Sequence, residues 1–309
     1  MTISLLSSGT FPYLMGTTSS FFVVFLLAAL ASMFSERSGV VNLGVEGYMT
    51  IGALTFAITT NKLYSGSDWT QVVGFLTAFI VAGIFSLLHI FASLKLKCDQ
   101  IISGTAINLL AQGIGLFVVT SGVIGDPTKI DTFSFKISLD SNDIFTIYLI
   151  ISMIIIAVMG IYFSLTRTGK RHIAAGENPN ALEAAGISVL KYRFWCVMLS
   201  SAIAGIAGAF YVMNRTSGSF YGSVNGFGFL GLAIMIAGQW RIKFITLFSA
   251  IFALFFAIAD VLPVMVTSFP QGDWVKALPF IFSLIAMMAI SRMSKPPAAS
   301  GVPYDKSAR

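Results

Sequence analysis

Gly16-Thr17-Thr18-Ser19-Ser20-Phe21-Phe22-Val23-Val24-Phe25-Leu26-Leu27-Ala28-Ala29-Leu30-Ala31-Ser32-Met33-Phe34 carries no charge, and Ser35-Glu36-Arg37-Ser38-Gly39-Val40-Val41-Asn42-Leu43-Gly44-Val45-Glu46-Gly47 follows it directly. A helix rises 1.5 Å per residue, so about 20 apolar residues cross the roughly 30 Å of membrane hydrocarbon. Working outward from this stretch, runs of that kind recur at roughly 16–34, 40–60, 71–94, 101–122, 144–165, 194–213, 222–239, 244–262 and 275–291. They predict an all-α polytopic membrane protein of about nine transmembrane helices, a single membrane domain over 1–309. Its long connections are an outer loop at 123–143, a cytosolic loop at 166–193 and a polar tail at 292–309.

Composition points the same way. Of 309 residues, 56% are hydrophobic and 10% charged, against about 25% charged in a soluble domain, and the mean hydropathy is +0.85. A soluble core this large would need a polar shell that these residues do not supply. The net charge of +6 is scattered among apolar runs, which argues against nucleic-acid binding. Residues 1–16 hold no Lys or Arg, so a cleavable signal is not expected. Cys98 and Cys196 read as inert thiols at cytosolic membrane edges.

Basic residues favour the cytosol. With the N-terminus outside and nine crossings, Lys and Arg divide 14 inside to 5 outside, and the C-terminus is cytosolic. This places a multi-pass protein in the plasma membrane. The seventh run is irregular: only Gly226–Gln239 is cleanly helical, about 21 Å. Either Arg215–Asn225 is buried as non-helical chain beside a cavity, or a short helix tilts under a thinned bilayer.

Within 35–47, Glu46 lies about eight residues, or 12 Å, beyond the interface. A carboxylate at that depth costs about 2.5–3.5 kcal/mol on insertion scales unless it faces an interior or a wet cavity. Asn42 and Glu46 are four apart and are predicted to share a helix face, with Gly39, Gly44 and Gly47 admitting a neighbour. The pair reads equally as a pathway lining or as a structural tie between helices. Asn108 and Gln112 share a face of the fourth helix and offer amides to a hydroxyl or base edge, or to another helix.

Residues 35–47 resemble the signature near the start of permeases in the branched-chain amino acid, ribose and nucleoside ABC importer family, in wording closest to its nucleoside and simple-sugar branch. Asp99-Gln100-Ile101-Ile102-Ser103-Gly104-Thr105-Ala106-Ile107-Asn108 resembles the start of the family's fourth helix. Gly176-Glu177-Asn178-Pro179 with Ala184-Ala185-Gly186-Ile187 resembles its cytosolic loop, and Ser200–Ala209 the small-residue helix that follows. The resemblance implies the membrane-spanning subunit of an ATP-driven importer for nucleosides or simple sugars. It also implies a cytosolic ATPase, an extracellular substrate-binding lipoprotein and a second, homologous permease.

The cytosolic loop can be read physically as well. Asn178 suits an N-cap, Pro179 the first helical position and Gly186 a left-handed C′, which bounds a helix of about seven residues. Leu182, Ala185 and Ile187 would form its apolar face, with Glu183 and Ala184 beside them and Arg167, Lys170, Arg171, Lys191 and Arg193 flanking. So short a helix needs something to pack on it. From the residues alone that is either the membrane surface or a partner; the resemblance implies a coupling helix docked on the ATPase. Gly39-Val40-Val41-Asn42 and Gly222-Ser223-Val224-Asn225 approach the membrane from opposite sides, as an inverted repeat would, which adds Asn225 to the predicted pathway.

No Gly-x-x-x-x-Gly-Lys-Ser/Thr loop occurs, so ATP is expected to be hydrolysed by another polypeptide, and no cofactor or metal is expected here. An ion-coupled carrier using Glu46 is the alternative reading. No metal-spaced cluster or Ser/His pair supports a membrane enzyme.

Overall fold

In the computed structural model, residues 10–63, 69–132, 146–216, 218–265, 274–291 and 294–305 are described. Each apolar run contains a helix, because backbone polar groups in lipid must be satisfied within their own segment. The helices are α1 (Thr10–Glu36), α2 (Val45–Leu63), α3 (Trp69–Phe85), α4 (Leu87–Ile90, continued by a π turn over Phe91–Lys95), α5 (Gln100–Thr120) and α6 (Ile147–Leu165). The 166–193 loop forms α7 (Arg167–Glu177) and α8 (Pro179–Ala184). Then follow α9 (Val189–Arg215), α10 (Phe227–Ala237), α11 (Ile242–Met265) and α12 (Trp274–Ser291). Among the described residues six stretches are long and apolar enough to cross a membrane: 11–36, 69–95, 100–120, 147–165, 189–214 and 242–261.

The bundle has an inside and an outside even though its helices are largely apolar. The apolar window of α1 is 83% buried, that of α6 only 17%. A helix apolar on every side belongs at the centre, and α1 packs its Val23–Ala31 stretch against its neighbours all round. The outer helices turn Leu109, Phe117, Ile154 and Val158 outward, where lipid is their solvent. Helices α2 and α9 meet backbone to backbone: a Cβ on Gly208 would lie 1.9 Å from the Met49 carbonyl oxygen. Between membrane helices, which gain little from hydrophobic burial, such small-residue contact supplies the attraction.

Three departures from expectation matter for the site. The second run, expected helical over 40–60, becomes helix only at Val45, because Gly39 takes φ +88° and the chain through 44 stays non-helical. Asn42 therefore does not stand on the helix that carries Glu46. The seventh run yields 11 helical residues, about 16 Å, and left-handed Gln239 and Trp240 end it earlier than expected. The chain before it is non-helical and contains strand β2 (Ser219–Phe220), paired antiparallel with β1 (Ile130–Asp131) from the 123–143 loop. This small pair qualifies the all-α expectation. Residues 133–143 of the outer loop, and 292–293 and 306–309 of the tail, lie outside the described residues.

Candidate functional site

The chain before α2 has unspent backbone donors and acceptors, and side chains from α5 take them up. Gln100 Oε1 accepts the Val41 N–H at 2.7 Å, Asn108 Oδ1 accepts the Gly47 N–H at 2.8 Å, and Asn108 Nδ2 donates to the Leu43 carbonyl at 2.8 Å. Asn42 is buried, donates to Ser200 Oγ at 3.2 Å, and leaves its Oδ1 without a hydrogen bond. Half-buried Gln112 stands one turn further along α5, outside this network.

Glu46, in the first turn of α2, is 0% exposed. Its Oε1 accepts the Gly226 N–H and its Oε2 the Gly228 N–H, each at 2.7 Å. The carboxylate thus caps α10 from another helix. Gly226, the residue before α10, is left-handed at φ +87° and offers no capping side chain of its own. Gly228 admits the approach, since a Cβ there would lie 2.5 Å from the Glu46 Cα. Two helices begin at this carboxylate, and each presents the positive end of its dipole to it. The predicted pathway residues Asn42, Glu46 and Asn108 thereby gather around the start of α2. Asn225 lies beyond the start of α10, exposed and left-handed at φ +51°, with its Nδ2 donating to Tyr211 Oη at 3.1 Å. It borders a cleft of about 190 Å³ walled by Tyr211, Phe227, Phe256, Asp260 and Phe280. No sequence reading singled out this cleft, because its walls come from four separate helices and Phe is abundant throughout the chain.

In the 166–193 loop, Asn178 Oδ1 accepts the Ala181 N–H at 3.0 Å, Pro179 opens α8, and Gly186 is left-handed at φ +79°. Leu182, expected on the free face, instead turns inward with Ala175, Val189 and Tyr304. What stays open is Ala181, Ala184, Ala185 and Gly186, with Gly176 and Glu177 behind them holding the tail: the Gly176 carbonyl accepts the Ala299 N–H at 2.8 Å and Glu177 Oε2 the Ala298 N–H at 3.4 Å. Glu183 Oε2 accepts the Val189 N–H at 3.0 Å, and Ile187 N–H returns to the Leu182 carbonyl. Helix α7 was not expected; Thr166, which accepts the Gly169 N–H at 2.9 Å, is the capping signal that could have located it.

Arg193 corrects the sequence reading most. Expected as a flanking surface charge, it is 0% exposed. Its guanidinium donates to the carbonyls of Ser38 (3.1 Å), Ala175 (3.4 Å) and Val302 (3.0 Å), joining the turn before α2, helix α7 and the tail. Its place four residues from both Val189 and Val197, each fully buried, was the available clue. Nearby, Arg37 donates twice to the Trp240 carbonyl and Glu36 accepts from Trp240 Nε1 at 2.8 Å, tying the C-terminal end of α10 to α1.

His172 of α7 bonds through Nε2 to the Phe34 carbonyl at 2.8 Å, so that nitrogen carries the proton. Burial, helped by the Arg37 charge and partly opposed by this bond, pushes its imidazole down to about 4. An unfolded histidine titrates near 6.5. Above that pH both states hold a neutral ring and nothing is lost. Between about 6.5 and about 4 only the unfolded chain takes up the proton, so stability should fall, by about 3 kcal/mol at the acid end. Thermal midpoints of the solubilised protein across pH 4–7 check this, with His172→Gln expected to flatten that part of the curve.

Residues 14–290 match the family described as the branched-chain amino acid transport system permease component. The chain is 31% identical to the nucleoside ABC transporter permease protein NupC of Lactococcus lactis, over 91% of this chain and 93% of the relative. It is 32% identical to the guanosine ABC transporter permease protein NupQ of Bacillus subtilis, over 92% and 93%. An uncharacterized protein of Mycoplasma pneumoniae is 33% identical over 92% and 93%. No solved structure matches the chain significantly. With a family match across nearly its whole length and six helices among the described residues able to cross a membrane, the chain belongs to this permease family: it is a multi-pass plasma-membrane protein and a permease subunit of an ABC importer.

Proposed function

We propose that this subunit carries nucleosides, with nine crossings, an outer N-terminus and a cytosolic C-terminus. Short α10 and the shortened lead-in to α2 are its two broken elements, and Glu46, where both begin, is the observation that carries the reading. An inverted repeat is supported by the two Gly-x-Val-Asn segments, which lie immediately before α2 and α10 and take left-handed glycines at Gly39 and Gly222. In this reading Asn42 and Asn108 shape the start of α2, while Gln112 and Asn225 border the route. The nucleoside cargo rests on the names of the Lactococcus and Bacillus relatives.

The work comes from partners. Reversing a 99:1 conformational equilibrium needs about 5.5 kcal/mol of differential binding. A cytosolic ATPase that grips the open face of α8 would supply it, with a substrate-binding lipoprotein delivering cargo outside and a second homologous permease completing the pathway. Force on α8 would pass through Leu182 and Tyr304 to the tail and Arg193, and so to Ser38 and the start of α2. Ala184→Arg together with Ala185→Glu places charge on the open face without touching the buried one. This variant should lose at least tenfold in ATP-driven guanosine uptake by the complete complex while keeping the wild-type thermal midpoint. Uptake at the normal rate would remove α8 from the coupling path.

A further inference from the structure

We propose that the cleft beside the start of α10 is a stacking station for the flat base of a nucleoside in transit, an inference that rests on the nucleoside reading. Four rings form its walls in series. Tyr211 and Phe227 meet at 4.8 Å between centroids and 65°, Phe227 and Phe256 at 5.5 Å and 60°, Phe256 and Phe280 at 5.6 Å and 72°. The first three are almost fully buried, held by one another and by Phe21 and Phe25 of α1. Phe280 ends the series at 40% exposure, on the lining of the cleft.

Polar groups sit where a base edge would follow. Asn225 spends one amide N–H on Tyr211 Oη, and its Oδ1 accepts from Ser223 Oγ at 2.8 Å. A primary amide has a second N–H and its oxygen a second lone pair, and this side chain is exposed. Asp260 stands on the same wall. A lipid chain filling the cleft would gain nothing from an amide and a carboxylate, whereas a purine presents π faces and a polar edge together. The volume of about 190 Å³ is below the 300–1,000 Å³ typical of a site enclosing a whole ligand. It suits one planar ring held briefly, with its sugar outside.

The station is also wired to the coupling path. The residue after Asn225 is Gly226, whose N–H is held by Glu46. A shift of the start of α2 therefore moves the amide that meets the base. Opening the route and loosening the cargo become one displacement.

The test uses the complete complex in proteoliposomes, with tritiated guanosine as the probe and the thermal midpoint as the folding control. Phe280→Leu keeps an apolar side chain and removes the π face. It should slow ATP-driven uptake about tenfold, equivalent to ~1.4 kcal/mol of lost stacking, whereas Phe280→Trp should stay within twofold of wild type. Asn225→Ala should raise the half-saturating guanosine concentration about tenfold and lower the midpoint by only a few degrees, through the loss of the Tyr211 hydrogen bond and of a residue suited to the left-handed backbone. Wild-type uptake by Phe280→Leu, equal slowing by Leu and Trp, or an unchanged saturation curve for Asn225→Ala overturns the station. A wild-type complex that hydrolyses ATP on meeting its loaded receptor yet moves no guanosine overturns instead the nucleoside reading beneath it.

Discussion

Glu46→Ala is expected to lower ATP-driven uptake at least tenfold and the thermal midpoint by about 6–10 °C. The substitution leaves the Gly226 and Gly228 N–H groups buried without an acceptor. Each stranded donor costs about 1–3 kcal/mol, and a negative charge at a helix N-terminus adds up to about 2 kcal/mol. A loss of about 3–5 kcal/mol in a chain of this size corresponds to that midpoint shift at roughly 2 °C per kcal/mol. Glu46→Gln keeps the shape and one acceptor but turns an NH₂ toward the second donor, so about half the loss should remain. That variant also separates the two transport chemistries. A carrier that moved a proton on Glu46 would lose all uptake with Gln, because an amide does not titrate in this range. If Glu46 works as a cap, Gln retains measurable uptake that still requires the ATPase. Complete loss at an unchanged midpoint would favour the proton carrier.

Arg193→Ala should have a comparable effect where the turn before α2, α7 and the tail meet. Three carbonyls from three segments lose their only charged donor, and the void left by a fully buried side chain adds to the loss. Hydrogen bonds to a charged group contribute about 1.5–3 kcal/mol each, so about 3–5 kcal/mol is expected after partial relaxation. Arg193→Lys should recover little, since an ammonium is a point donor and cannot spread over three acceptors as a planar guanidinium does. The tail should come loose first. Chymotrypsin cleavage after Tyr304, buried while the tail is docked, is expected to accelerate at least tenfold, and ATP hydrolysis to continue with little uptake. Cleavage at the wild-type rate would mean that the tail is held by Tyr304 and the Lys97–Asp305 ion pair without Arg193.

What could be read in advance follows physical range. Crossing segments were legible because lipid imposes a length and a composition on each of them separately. The caps of α8 were legible because Asn178, Pro179 and Gly186 act within a few residues of themselves. The shortness of α10 was visible for the same reason. Arg193 was misread because its neighbours along the chain suggested a flank, while its partners lie 155, 18 and 109 residues away. The inward turn of Leu182 likewise needed Tyr304, and the late start of α2 needed Gln100 and Asn108.

Sequence by itself determined that the chain spans a membrane, where most of its apolar helices lie, that Glu46 sits in an apolar run where it must have partners, and that a capped helix interrupts the 166–193 loop. Tertiary structure alone decided who those partners are: backbone N–H groups 180 and 182 residues away for Glu46, three carbonyls for Arg193, and a row of rings beside Asn225. A transfer cost belongs to a residue and its own segment and can be summed along the chain. A hydrogen bond or a ring contact belongs to a pair, and only the packing of α2, α7, α9, α10, α11, α12 and the tail brings those pairs together.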